Sequence, residues 1–177
     1  MIRKTNETDI EINESDYLEI NTNDNVFDHM LKTMFFYMEF PIKLNVFSYD
    51  LRHHLWEDTG IIIGKFLSEK IKNKKIKRFS SVILPMDDAL ILNSIDISRT
   101  YTKIDLSIQN SENGFEESLL KEFVYSLSRN IPATIHIKQI NGENAHHIIE
   151  CCFKTLGINL KECIKENNFV NSTKGMI

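Results

Sequence analysis

The segment His53-His54-Leu55-Trp56-Glu57 returns later in the chain as His146-His147-Ile148-Ile149-Glu150, and that repetition narrows what the chain can fold into. Each copy is a His-His-x-x-Glu. On a helix the first His and the Glu are four residues apart and the second His and the Glu three, so all three side chains sit near one face. Adjacent histidines leave the helix axis about 100° apart, which suits them to two different ions. A single copy has a plain alternative meaning, a polar helix face. The second copy argues against it, because the surroundings repeat as well. His29 lies 24 residues before His53, and Glu122 lies 24 residues before His146. Ile42 and Leu44 recur as Ile135 and Ile137 with strand-like alternation. Five of the six histidines fall inside this repeat, at ligand-capable positions. The chain reads as two half-repeats, 1–78 and 79–177, fused into one compact unit around a two-metal site of imidazoles and carboxylates.

In chain order, Ile10 and Ile12 alternate with polar residues and lead to Tyr17-Leu18-Glu19-Ile20, which predicts a hairpin turning near Asn13-Glu14-Ser15. Asn23-Asp24-Asn25 opens a helix over 26–38, with Asp28 and His29 on its first turn, and Pro41 follows its end. A strand over 42–46 precedes a helix over 53–70. Gly60 and Gly64 on that helix would let another helix come close. The second half predicts strands over 79–84, 89–97 and 101–108, a polar connection over 109–113, and a helix over 115–129. A strand over 134–140 and a helix over 145–165 complete it, and the tail from Asn167 has no periodicity. Each half gives strands, a helix, a strand and a helix, an α/β or α+β arrangement of duplicated half-domains in which four helices pack together against two sheets.

Composition excludes several classes. With 177 residues, 42% hydrophobic and 26% charged, the chain has the make-up of a globular domain. No apolar run approaches the roughly 20 residues that cross a bilayer, and the N-terminus lacks a signal-peptide core. A net charge of −4 argues against nucleic acid, and the basic run from Lys70 to Arg78 reads as a solvated helix end. Cys151, Cys152 and Cys163 are odd in number and confined to one segment, as in reduced thiols of a cytoplasmic protein.

Six short motifs then occur in order. They are Arg3-x-Thr5-x-Glu7-Thr8, Asp28-His29-Met30-Leu31, His53-His54-x-x-Glu57-Asp58 and Pro85-Met86-Asp87-Asp88-Ala89-Leu90, followed by Gly142-Glu143-Asn144-Ala145-His146-His147-x-x-Glu150 and Ser172-Thr173-Lys174-Gly175. On these, over essentially its whole length, the chain resembles the imidazoleglycerol-phosphate dehydratase family of histidine biosynthesis. The resemblance implies an α+β fold of duplicated half-domains, with a four-helix bundle between two four-stranded sheets. It implies homo-oligomers, trimers assembling into a 24-subunit shell, with two Mn²⁺ per active site held where subunits meet. It implies as ligands His29, His53, His54, Glu57, His146, His147 and Glu150. Glu122 stands where many members carry a His, and the repeat sets it opposite His29, so a carboxylate would make that position harder and more anionic. The family's Asp-Leu-Ser-Gly-Arg-Pro is Asp96-Ile97-Ser98-Arg99-Thr100 here, Asn23 and Asn25 replace usual glycines, and Thr33 replaces a common Gln.

The implied reaction removes water from imidazoleglycerol phosphate, a small-molecule phosphate substrate, to give imidazoleacetol phosphate. Glu150 is expected to move protons, with Glu7 as a second acid/base, a role that typically contributes 10²–10⁴-fold. By the same resemblance Arg78, Arg99, Lys154, Ser172 and Lys174 bind the phosphate, through a guanidinium fork, ammonium charge and hydroxyl. Plain alternatives stand beside several of these: Arg78 ends a lysine run, Glu7 is a lone acid, and chain tails commonly carry no site. Asp58 is expected to accept from a ligand imidazole, or to sit on the helix surface. His136 is expected to be structural, and Trp56 and Met30 to pack. Zinc or iron fits the same ligands. Two other readings remain open: a metal-assembled relative with weakened or lost catalysis and a structural or binding role, and a two-metal hydrolase.

Overall fold

A computed structural model of the chain describes residues 1–108 and 114–175; the polar connection expected over 109–113 lies outside the described residues. The first half contributes β1 (Ile2–Lys4), β2 (Thr8–Glu14), β3 (Glu19–Asn21), α1 (Asn25–Met38), β4 (Ile42–Tyr49) and α2 (Arg52–Ile71). The second contributes β5 (Phe79–Met86), β6 (Ala89–Ile97), β7 (Tyr101–Asp105), α3 (Glu117–Asn130), β8 (Ala133–Asn141) and α4 (Ala145–Ile164). Both sheets have the same winding: β1-β2-β4-β3 in one, β5-β6-β8-β7 in the other. In each, the last-listed edge strand is the parallel one. The fold is the expected α+β arrangement.

The chain does reverse after Glu14, but the predicted hairpin is not there, because β2 and β3 do not pair. The paired hairpin is β1–β2, turning at Thr5–Glu7, where Thr5 Oγ1 accepts the backbone N–H of Glu7 (3.1 Å) and Thr8 (3.0 Å). β1 and β4 then occupy both edges of β2. β3 is left to pair on the far side of β4, in parallel, with Ile20 opposite Leu44. Alternation alone could not separate these pairings, because both bury the same face. The expected strand over 101–108 also ends early, at Asp105.

Alternation does fix which face is inside. Ile10, Ile12, Ile42, Leu44 and Val46 of the first sheet are buried, as are Ile91, Ile95, Ile135 and Ile137 of the second. The first sheet packs on α1 and α2, the second on α3 and α4. Between them, one aromatic side chain from each helix meets at the centre: Phe27, Trp56, Phe123 and Phe153, all fully buried. Phe27 stacks on Trp56 at 4.1 Å, with Phe123 edge-on to Phe27 at 5.7 Å. Phe153 joins Phe123 at 5.2 Å. Each such burial is worth about 1.5–3 kcal/mol.

Glycine sets how closely the helices pair. A Cβ on Gly60 would lie 2.5 Å from the Phe123 carbonyl oxygen, and one on Gly64 2.8 Å from that of Leu127, so α2 and α3 meet backbone to backbone. On the other pair, a Cβ on Gly157 would lie 2.2 Å from the Met34 carbonyl oxygen. Thus α1 pairs with α4 and α2 with α3, each pair taking one helix from each half.

Candidate metal centres

Helix pairing across the halves decides which side chains converge. Asp24 caps α1, accepting from the N–H of Val26 and Phe27 (both 3.1 Å), and so sets His29 on the second exposed position of the first turns. Asn144 caps α4, accepting from the His147 N–H at 3.0 Å, and sets His146 and Glu150 one turn apart. With α1 against α4, His29 Nε2 lies 3.1 Å from Glu150 Oε2, and His146 Nε2 lies 2.9 Å from the same oxygen. The two imidazole nitrogens are 3.4 Å apart. On the other pair, His53 and Glu57 of α2 meet Glu122 of α3, with one ligand atom from each within 4.8 Å of the others. His53 Nε2 is 3.8 Å from Glu57 Oε2. Each cluster therefore combines first-half and second-half residues.

The second histidine of each pair points elsewhere. The His53 and His54 rings lie 5.6 Å apart at 76°, and those of His146 and His147 5.8 Å apart at 48°. His54 Nδ1 is hydrogen-bonded to Asp50 at 2.7 Å, and that bond raises the imidazole's pKa while holding the Asp50 carboxyl below its usual range. His147 Nδ1 is bonded to Asp88 at 2.6 Å. Asp88 is held well below the usual carboxylate range, first by the backbone N–H groups of Glu143 and Asn144 and then by His147. A carboxylate on Nδ1 fixes tautomer and ring orientation and leaves Nε2 as the outward-facing ligand atom. Asp50 was not foreseen, though its spacing of four residues from His54 is readable in the sequence.

Glu150 is the most sheltered of the three cluster carboxylates. Burial pushes its carboxyl upward, but hydrogen bonds from Lys154 and His29 outweigh that and hold it below the ordinary range. Lys154 Nζ lies 3.1 Å from Glu150 Oε1 and 5.8 Å from the centre of the Tyr37 ring. Between α1 and α4 a cavity of about 410 Å³ opens beside this pair, with Thr33, Phe36 and Tyr37 on its other wall. Glu7 is exposed, with its carboxylate 3.9 Å from His54 Nε2.

Asp58 does not face an imidazole. It is buried and takes Arg3 Nη2 at 2.6 Å together with the Thr8 hydroxyl, because it lies about 100° round the helix from Glu57, on the side toward β1 and β2. This explains two residues of the first motif: Arg3 and Thr8 fasten the sheet to α2. His136 lies on the outer face of β8, its ring 5.4 Å from Tyr101. Trp56 and Met30 are fully buried, as packing requires.

The remaining phosphate candidates lie elsewhere in the chain. Arg78 takes both oxygens of Asp96, at 2.6 and 2.9 Å, and donates to the Asn171 carbonyl at 2.9 Å, which brings the tail beside it. Ser172 and Lys174 share a turn, with the Lys174 N–H donating to Ser172 Oγ at 3.2 Å. Arg99 is exposed after β6, its carbonyl accepting from the Thr134 hydroxyl at 2.9 Å. The Arg78 N–H bonds to the Cys163 carbonyl; Cys163 stands 13 residues beyond Glu150 on α4, or about 20 Å at 1.5 Å per residue. A larger cavity of about 530 Å³ near Ser98 and Val170 is at this far end, away from both clusters. Within one chain, Lys154 joins the clusters and Arg78, Ser172 and Lys174 do not.

Two like-wound sheets around four helices, with imidazoles and carboxylates gathered where the helices begin, define a narrow class of α+β protein. The family model described as imidazoleglycerol-phosphate dehydratase matches residues 22–160. The imidazoleglycerol-phosphate dehydratase of Pyrococcus furiosus is 51% identical over 178 residues, covering 100% of both chains, and that of Metallosphaera sedula is 35% identical, covering 99% of this chain and 96% of its own. A crystal structure of IGPD from Pyrococcus furiosus in complex with (S)-C348 superposes with a TM-score of 0.95 over 100% of both chains, at 51% identity. The Staphylococcus aureus enzyme superposes with a TM-score of 0.83 at 33% identity, over 94% of this chain and 98% of that one. The chain belongs to the imidazoleglycerol-phosphate dehydratase family.

Proposed function

We propose that this chain dehydrates imidazoleglycerol phosphate to imidazoleacetol phosphate in histidine biosynthesis, with two Mn²⁺ per active site. The observation that carries this reading is the cluster of His29, His146 and Glu150 with Lys154 beside it, on a chain that matches its curated relative end to end. The donor atoms fit the metals. Three atoms converge in each cluster, each includes a carboxylate of the kind that suits Mn²⁺, and His54 and His147 have the carboxylate partners that ligating histidines usually have. In this reading His29, His146 and Glu150 hold one ion, and His53, Glu57 and Glu122 the other. His54 and His147 complete the sites of neighbouring copies. The bound ions would stabilise the ionised imidazole ring of the substrate and so make loss of a non-acidic hydrogen possible.

The chain's own residues do the rest. Glu150 shuttles the proton, sheltered from water and kept ionised by Lys154. Lys154 holds the phosphate as a point charge at the mouth of the cavity between α1 and α4. Glu7, beside His54, is the second acid/base. Arg78, Arg99, Ser172 and Lys174, about 20 Å from the same chain's Glu150 for those tied to the end of α4, act on the substrate of an adjoining copy. That requirement supports homo-oligomers, and trimers assembled into a 24-subunit shell are the form we propose for them. We place the division of the half-repeats at residue 78 and the protein in the cytoplasm; no described helix is long and apolar enough to cross a membrane.

Departure at Glu122 does not favour a silenced relative, because its carboxylate keeps a place beside His53 and Glu57. The test is turnover of imidazoleglycerol phosphate by the purified chain with added Mn²⁺. Product formation that is lost on chelation and restored by Mn²⁺ is expected. Protein with bound Mn²⁺ and no turnover would leave the catalytically silent alternative.

A further inference from the structure

Arg52 precedes the first His-His-x-x-Glu and belongs to no ligand set, yet it joins more of the candidate site than any ligand does. Its Nε donates to Asp24 Oδ2 at 2.7 Å, its Nη1 to Glu116 Oε1 at 2.9 Å and its Nη2 to the Gly114 carbonyl at 3.2 Å. Asp24 is the cap of α1, which carries His29. Glu116 is the N-cap residue of α3, which carries Glu122. Arg52 itself is the first residue of α2, which carries His53 and Glu57. Gly114 leads directly into Phe115, whose buried ring lies flat on the His146 imidazole of α4, at 4.3 Å and 17°. One guanidinium thus ties together the starts of three helices and reaches the fourth through Phe115. The Gly114 backbone has φ +85° and a Cβ there would come within 3.3 Å of the guanidinium nitrogens, so the backbone at this one position lies close against Arg52.

We propose that Arg52 is a positioning residue for both clusters, setting the spacing between α1, α2 and α3 and, through Phe115, the plane of His146. A planar fork with donors on three nitrogens can satisfy three acceptors at once; a lysine ammonium at the end of a flexible stem cannot hold the same geometry. Asp24 already accepts two backbone N–H bonds, so losing Arg52 would leave a sheltered carboxylate without its countercharge at the α1 cap.

This rests on reading the clusters as metal sites, and the test separates the two. Mn²⁺ is titrated into the full, assembled chain and followed by electron paramagnetic resonance, with circular dichroism as the check on folding. His29→Ala and Glu122→Ala assign the two binding events. Arg52→Gln is expected to weaken both by about tenfold to a hundredfold, as loss of a residue supporting metal ligands does. Arg52→Lys is expected to recover only part of that. Wild type that binds no Mn²⁺ would overturn both the metal reading and this proposal. Wild type that binds two ions while folded Arg52→Gln binds them equally well would overturn this proposal alone, as would full rescue by Lys, which assigns the effect to charge. If Arg52→Gln does not fold, Glu116→Ala decides. Weakened Mn²⁺ binding at His53/Glu57/Glu122 supports the tie, and unchanged binding overturns it.

Discussion

The two clusters stand at equivalent places in the repeat and are chemically unlike. His29 corresponds to Glu122, His53 to His146 and Glu57 to Glu150, each 93 residues on. One cluster has two imidazoles and a carboxylate, with contacts of 2.9–3.4 Å; the other has one imidazole and two carboxylates, with its His–Glu contact at 3.8 Å. The side chain of Glu150 is 10% exposed and that of Glu57 36%. Lys154 steadies Glu150, whereas the equivalent place after Glu57 is Ile61. The two halves share one scaffold, and one of them carries a sheltered, lysine-paired acid beside a cavity. The proposed function then divides, with proton transfer proposed for the Glu150 cluster and a holding role for the Glu57 cluster.

Replacing the two acids separately tests that division most severely. Glu150→Gln should lower kcat by about 10²–10⁴-fold at saturating Mn²⁺. Glu57→Gln should cost Mn²⁺ affinity but less than about tenfold in kcat once the metal is saturating, on the argument that only groups acting in the chemical step carry the larger factor. Equal losses in kcat would erase the distinction. Metal binding to the folded chain gives the next effect. Mn²⁺ at a hundred times its dissociation constant should stabilise the fold by about 2.7 kcal/mol per cluster, and chelation should remove it. Thermal denaturation should show one such increment lost in His29→Ala, with the other intact.

Helix spacing offers a third comparison. Gly157→Ala would place a Cβ 2.2 Å from the Met34 carbonyl oxygen, while Gly64→Ala would meet Leu127 O at 2.8 Å and Asn130 Cβ at 2.7 Å. Overpacking of this kind costs about 1–3 kcal/mol, with Gly157→Ala at the upper end. Chemical denaturation measures that cost. Mn²⁺ titration should show Gly157→Ala weakening the cluster between α1 and α4, and Gly64→Ala the one between α2 and α3. If either substitution weakens both equally, the pairs are not independent supports.

Much of this was legible beforehand because it depends on periodicity. Buried isoleucines every second residue and the His-His-x-x-Glu spacing are local patterns, and a repeat doubles each signal. Gly60 and Gly64 announced a close helix partner for the same reason. Strand order was less visible: nothing local distinguishes Ile20 pairing in parallel with β4 from Ile20 pairing with β2. The role of Asp58 was misread because its partners, Arg3 and Thr8, are more than 49 residues away in sequence. Arg52 was invisible as a link, since its acceptors belong to three separate segments that only the fold assembles. The Asn23 substitution, by contrast, is explained directly: its φ is +63°, and Asn is among the few residues that adopt that backbone readily.

The smallest expected effect is the most specific one. Glu122→His would give the second cluster the donor set of the first, two imidazoles and one carboxylate. Imidazole favours zinc over manganese more than a carboxylate does, so the preference for Zn²⁺ over Mn²⁺ at this cluster should rise by about tenfold, equivalent to about 1.4 kcal/mol. The Glu150 cluster should not change, since α1 and α4 are untouched. Competition of Zn²⁺ against bound Mn²⁺, followed by electron paramagnetic resonance in wild type and variant, reads both clusters in one experiment. An unchanged preference would mean that the clusters differ through burial and Lys154 alone, and the carboxylate at 122 would then have no part in choosing the ion.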